Sequence, residues 1–159
     1  MMATAVGTAL ASVCRVISGP SVEWRCDPGA DGQRIYFANH SSHLDFIVIW
    51  SALPPRLRRR TRPVAGRDYW DGSAIRRHLA GRVFRAVLVD RHGTSRQPRG
   101  SDDATAAARA TVERLAREMG DRDSLIVFPE GTRSVTGEIG PFRSGLYHLA
   151  RARPDAELI

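Results

Sequence analysis

The chain has 159 residues, 42% apolar and 26% charged, values that suit one globular domain and argue against a disordered chain or a polytopic membrane protein. Its formal charge of +7 favours an anionic partner such as phosphate, nucleic acid or acidic lipid. All 24 basic residues are arginine, which excludes Schiff-base lysine chemistry, P-loop nucleotide binding and ordinary protein-kinase catalysis.

The first segment, residues 1–24, is mostly small and apolar from Met2 to Gly19, with Arg15 interrupting it. The uninterrupted stretch falls short of the roughly 20 residues that span a bilayer, and no basic region precedes it to make a signal peptide. Three readings stay open: a helix on the membrane surface, a degenerate anchor, or a helix packed on the domain formed by residues 25–159. Cys14 and Cys26 form no Cys-x-x-Cys pair, which excludes a cysteine zinc site. A disulfide between them is disfavoured because nothing else looks secreted.

From Gln33 onward, strands and helices alternate. Gln33–Ala38 is a short apolar run behind Asp31-Gly32 and reads as a buried strand. Leu44–Leu53 reads as a buried helix stopped by Pro54-Pro55. Arg62–Gly66 is a weaker strand, Ser73–Phe84 a helix and Arg85–Asp90 a strand. A polar loop then runs to Gly100. Ser101 is placed to cap a helix whose apolar positions Ala108, Val112, Leu115 and Met119 recur at helical spacing, and Gly120 ends it. Asp123–Phe128 is a further strand, Pro141 or Phe142 opens a last helix to about Ala152, and Asp155–Ile159 looks like the onset of another strand. The alternation predicts an α/β fold: a mainly parallel sheet flanked by helices on both faces. Ligands in such sheets sit beyond the carboxyl ends of the strands. That rule gathers the loops after Ala38, Asp90 and Phe128.

Those loops carry the chemistry. Neutral imidazole is the natural general base near pH 7, and it needs a partner to fix its tautomer. His40 has Asp45 five residues on, about 140° away around a continuous helix. The two meet only if the chain turns near His40 and enters the helix around Ser42 or His43. On spacing alone His40 is equally a helix cap, with Asp45 suited to the helix dipole. Two other arrangements remain open: His40, His43 and Asp45 as metal ligands, and Ser41 or Ser42 as an acylated nucleophile, though no Gly-x-Ser-x-Gly elbow is present. Arg91 and Arg133 follow strand ends on the ligand face, where guanidinium forks can clamp a phosphate. Glu130 is expected to orient an arginine or to contribute its backbone, and the glycine turn at Gly131 can present amides to an anion.

Asn39-His40-x-Ser42-x-x-Asp45 and Phe128-Pro129-Glu130-Gly131-Thr132-Arg133-Ser134 resemble two signature blocks of the glycerolipid acyltransferases, the 1-acylglycerol-3-phosphate acyltransferase family. Gly81 to Arg91 is similar to the block between them, and Pro141-Phe142-Arg143-Ser144-Gly145 to the Phe-x-x-Gly that follows. The resemblance runs from about Ile35 to Ile159. It implies that His40 takes the proton of the acceptor hydroxyl and that Asp45 orients His40. It implies further that Arg91, Glu130, Gly131, Thr132 and Arg133 form the glycerol-phosphate site. The implied donor is acyl-CoA or acyl carrier protein and the acceptor a lysophospholipid. No metal and no other cofactor are implied. The implied location is the cytoplasmic face of a membrane, held peripherally or by a weak anchor. The family's fourth block, a proline among β-branched residues on a following strand, is absent, so the chain reads as truncated at its C-terminus. A binding module without turnover is therefore the second reading, with another lysolipid as acceptor a further one.

Arg56, Arg58, Arg59, Arg60 and Arg62 form a dense run after Pro54-Pro55. It reads either as a solvated loop or as a contact with anionic lipid headgroups. Trp50, Tyr69 and Trp70 suit an interface or the core equally. A nucleic-acid role requires basic residues interleaved with exposed aromatics, and no such partner is expected.

Overall fold

The computed structural model describes residues 2–25, 27–28, 31–90 and 101–159. In chain order these form α1 (Met2–Ser18), β1 (Arg34–Phe37), α2 (Asp45–Ala52), α3 (Pro55–Arg60), β2 (Thr61–Gly66) and α4 (Arg67–Trp70). There follow α5 (Ala74–His78) with a π-helical continuation over Leu79–Val83, β3 (Val87–Val89), α6 (Ser101–Met119), β4 (Ser124–Val127), α7 (Gly145–Ala152) and β5 (Glu157–Leu158). The strands make one parallel sheet in the order β3-β2-β4-β1-β5. The expected α/β class holds, with helices on both faces.

Period-two alternation decides which face each strand residue supplies. Ile35 and Leu125 are paired in register and pack with Val112, Leu115, Met119 and Leu149 of α6 and α7. Tyr36 and Ile126, the next pair, pack on the opposite face with Phe46, Trp50, Trp70 and Phe84. Every residue of β4 is buried, as suits a strand covered on both sides. Trp50 and Trp70 are therefore core residues, 4% and 6% exposed.

Three expectations need correction. The arginine run is not a loop: Pro55–Arg60 is a helix, with proline in its first turn, where its missing N–H costs nothing. The helix expected over Ser73–Phe84 changes to π-type winding at Leu79. The last helix begins at Gly145 rather than Pro141 or Phe142, and the residues ahead of it pack on the turn after β4, where the Arg143 amide donates to the Pro129 carbonyl at 2.9 Å. The strand expected at the end is β5, parallel to β1. The side chains of 101–105, and with them the Ser101 cap, lie outside the described residues, as do Cys26 and Arg91.

α1 packs on α2 with Ala11 buried, and Gly7 brings the helix over Trp50, where a Cβ would come within 3.2 Å of Cη2. Arg15, the charge that interrupts the apolar stretch, donates to the carbonyls of Ser51, Ala52 and Leu53 at 2.6, 3.3 and 3.2 Å. Those carbonyls close α2 and carry the negative end of its dipole. Among the described residues, no helix is long and apolar enough to cross a membrane.

Candidate active site

The strand order sets β1 beside β4, with Phe37 opposite Val127. Their carboxyl ends therefore release the loops 38–44 and 128–144 side by side. Two hydrogen bonds join these loops at one residue: the His40 amide donates to Glu130 Oε1 at 2.8 Å, and the His40 carbonyl accepts the Ser134 amide at 2.7 Å. Glu130 Oε2 accepts the Gly140 amide at 3.2 Å, so its buried carboxylate ties three stretches of chain together.

The His40 ring lies against Phe128, centroids 4.1 Å apart and planes 16° from parallel. Its Nδ1 is 2.9 Å from Asp45 Oδ2. The same oxygen accepts the amides of Ser41 and Ser42, each at 2.8 Å. The required turn is thus present: the chain folds over residues 41–44, α2 starts at Asp45, and the carboxylate reaches back. Burial alone would raise the Asp45 pKa, but the Ser42 amide, the His40 ring and the Ser41 amide outweigh it and hold the group below the usual carboxylate range. An ionised Asp45 takes its hydrogen bond from Nδ1–H, so Nε2 carries the free lone pair.

His40 stands in the wall of a cavity of about 410 Å³ at the carboxyl ends of the strands, within the range of small-ligand sites. The wall is mostly apolar: Val64, Ala65 and Val89 from the ends of β2 and β3, Val112 and Leu115 from α6, and Leu146 and Leu149 from α7. His43 also lines it, with its ring stacked on Tyr69 at 4.4 Å. Ser42 turns its hydroxyl to the Leu44 amide at 3.2 Å, and among the described residues neither serine hydroxyl bonds the imidazole.

Of the residues expected in the glycerol-phosphate site, Gly131 lines the cavity with a φ of +72°, a conformation that favours glycine. Thr132 and Arg133 follow with exposed side chains outside the cavity wall. Glu130 does not orient an arginine through its carboxylate, because both oxygens are engaged by main-chain amides; its carbonyl instead accepts Arg143 Nε at 3.2 Å. Among the described residues, Arg143 is the arginine that lines the cavity. It lies over Gly131 so closely that a Cβ there would come within 3.0 Å of Nε. The Phe-x-x-Gly stretch marked this position without indicating where its side chain would go.

The profile of the Acyltransferase family matches residues 24–156, most of the chain and both joined loops. The chain belongs to the Acyltransferase family. Its relatives include the 1-acyl-sn-glycerol-3-phosphate acyltransferase alpha of Mus musculus, 33% identical over 119 residues, which is 73% of this chain and 35% of that protein. The 1-acyl-sn-glycerol-3-phosphate acyltransferase of Cocos nucifera is 31% identical over 116 residues, 73% of this chain and 32% of that protein. The enzyme of that name from Salmonella typhimurium is 29% identical over 142 residues, 84% of this chain and 49% of its own length. This acyltransferase-family chain thus spans about a third to a half of the relatives it matches. No solved structure matches it.

Proposed function

We propose that the chain transfers a fatty acyl group from a thioester, acyl-CoA or acyl carrier protein, to the free hydroxyl of 1-acylglycerol-3-phosphate. The observation that carries this reading is the His40–Asp45 pair at 2.9 Å on the wall of a largely apolar cavity. His40 Nε2 takes the hydroxyl proton as the acceptor oxygen attacks the thioester carbonyl. The C–S bond breaks, and the imidazolium returns that proton to the departing thiolate. Asp45 holds the tautomer and offsets the charge that forms on the ring. The apolar wall suits the acyl chain, which needs burial but no hydrogen bonds. The acceptor phosphate is assigned to the turn Gly131–Arg133 together with Arg143, and Arg91 joins it on the resemblance alone. Glu130 supports the site by holding the His40 main chain. No metal and no cofactor beyond the acyl carrier enter this scheme, and peripheral association with an anionic membrane would supply the acceptor.

The test is release of free thiol from acyl-CoA or acyl carrier protein, with and without lysophosphatidic acid. Wild-type protein should release thiol only with the acceptor, and His40→Ala should lose about 10²–10⁴ in turnover. Near-normal turnover by that variant would end the proposal. Acceptor binding without thiol release by the wild type would establish a binding module instead.

A further inference from the structure

The arginine run over α3 and the start of β2 divides in the fold. Arg56 and Arg60 approach Asp31 at 3.2 and 3.6 Å, and Arg62 pairs with Glu118 and Asp123 at 2.8 and 3.4 Å. Arg58 and Arg59 turn the other way. With Arg82 of the π-helical segment they line a second cavity of about 230 Å³, enclosed by α1, α3 and that segment. It shares no lining residue with the cavity at His40.

Among the described residues, no carboxylate lines this cavity and none pairs with Arg58, Arg59 or Arg82. A fourth arginine there, Arg85, is neutralised by Asp123 at 2.7 Å. Arg58 is only 8% exposed, its guanidinium 5.2 Å from the centre of the Trp50 ring. A buried charge without a counter-ion is costly. Burial, then the neighbouring Arg15 and Arg59 cations, accordingly pull Arg58 below its ordinary pKa. An anion in the cavity relieves both costs.

We propose that this cavity is an anion site for a phosphate group, clasped by Arg58 from within and by Arg59 and Arg82 from the rim. Several guanidinium forks suit an anion with three or more acceptor oxygens better than a carboxylate, which one fork satisfies. Trp50 and Phe84 supply an apolar wall for the organic part of the ligand. The phosphate can belong to a lipid headgroup or be free in solution. The headgroup is favoured by α1, whose inner face reaches the cavity through Thr4 and Thr8 while Met2, Val13, Val16 and Ile17 are 85%, 55%, 85% and 81% exposed.

The test uses the intact chain. Thermal unfolding is followed with inorganic phosphate against chloride at equal ionic strength. Sedimentation is followed with phosphatidylcholine vesicles with and without phosphatidylglycerol. Arg59→Gln/Arg82→Gln alters exposed side chains only, so its folding is not at issue, and Arg58→Gln is the buried counterpart. Removing each arginine should weaken binding about fivefold, whereas Arg76→Gln/Arg151→Gln, with the same net charge, should bind more nearly as the wild type does. Loss in both assays identifies a site that free phosphate fills, and loss with vesicles alone identifies a headgroup site. Equal loss in the two double variants, unchanged binding by Arg59→Gln/Arg82→Gln, or no binding by the wild type overturns the proposal. His40→Ala should bind like the wild type, so the result stands apart from the acyl-transfer reading.

Discussion

Glu130 holds the main chain of His40: its Oε1 accepts the His40 amide at 2.8 Å, while its Oε2 accepts the Gly140 amide at 3.2 Å. A buried carboxylate between two amides sets where the imidazole stands relative to the turn after β4. Glu130→Gln replaces one acceptor oxygen with an NH₂ that faces an amide donor. It should cost about 1–3 kcal/mol of stability, the price of a buried polar group left unpaired. Denaturant midpoints measure this, and turnover should fall with them because His40 loses its register. A variant of wild-type stability would show that the two amide bonds are dispensable.

Asp45 links the site to pH. Its pKa is lowered on folding, so its contribution to stability is complete above the unfolded value near 3.9 and is lost as pH falls through the folded value. The wild type should exceed Asp45→Asn in stability at neutral pH, and the gap should close as the medium is acidified below about pH 4. Unfolding curves for the two proteins across that range decide it. A pH-independent gap would mean that the carboxylate charge plays no part. On the proposed acyl transfer, in which Asp45 acts through His40, turnover should drop with little change in the acceptor KM.

Gly131 and Arg143 should behave as one unit. A Cβ at position 131 meets the guanidine at 3.0 Å, and a φ of +72° strains any L side chain. Gly131→Ala should therefore cost about 1–2 kcal/mol and displace Arg143. If Arg143 binds the acceptor phosphate, Arg143→Gln should raise the acceptor KM more than it lowers kcat. The double variant should then be little worse than either single one. Additive effects on KM would separate the two residues, and Arg133→Gln in the same series reports the share of the exposed arginine.

Arg34 ties β5 to the sheet. Its side chain is fully buried, Nε donates to Glu157 Oε2 at 3.0 Å, and Nη2 donates to the Asp27 carbonyl at 2.7 Å. Burial works against the charge, but the Tyr36 and Glu157 side chains beside it more than offset this and raise the pKa. Glu157→Ala should cost about 1–3 kcal/mol, toward the lower end because Asp27 and Tyr36 remain. A shift in denaturant midpoint at constant m-value measures it, and a change within experimental scatter would show that the solvent-facing Glu157 contributes nothing.

The elements that sequence reading located best are those whose signal is local. The apolar runs around β1 and β4 and the heptad-like spacing of α6 declare themselves within a few residues, and the loops that follow strands are then candidate sites by topology alone. The arginine run misled because charge suggested solvent, whereas arginine is a good helix former and Pro55 is well placed in a first turn. The late start of α7 was equally hidden, since residues ahead of it bond to main chain remote in sequence, the Arg143 amide to the Pro129 carbonyl and Arg143 Nε to the Glu130 carbonyl.

By itself, the order of residues determined the alternation of strands and helices, the strand-end loops in which candidate site residues lie, and the family to which the chain belongs. Only tertiary structure decided what the side chains in those loops do. His40 and Asp45 required a turn that periodicity cannot specify, because it depends on amides of Ser41 and Ser42 converging on one carboxylate oxygen. Glu130 serves as a main-chain tie, Arg143 enters the cavity wall, and Arg58 is buried with no acid beside it among the described residues, because β1, β4, α1 and α3 converge from distant parts of the chain. Hydrogen bonding and charge pairing act over a few ångströms in space, whatever the separation in sequence, and that distance is set by packing.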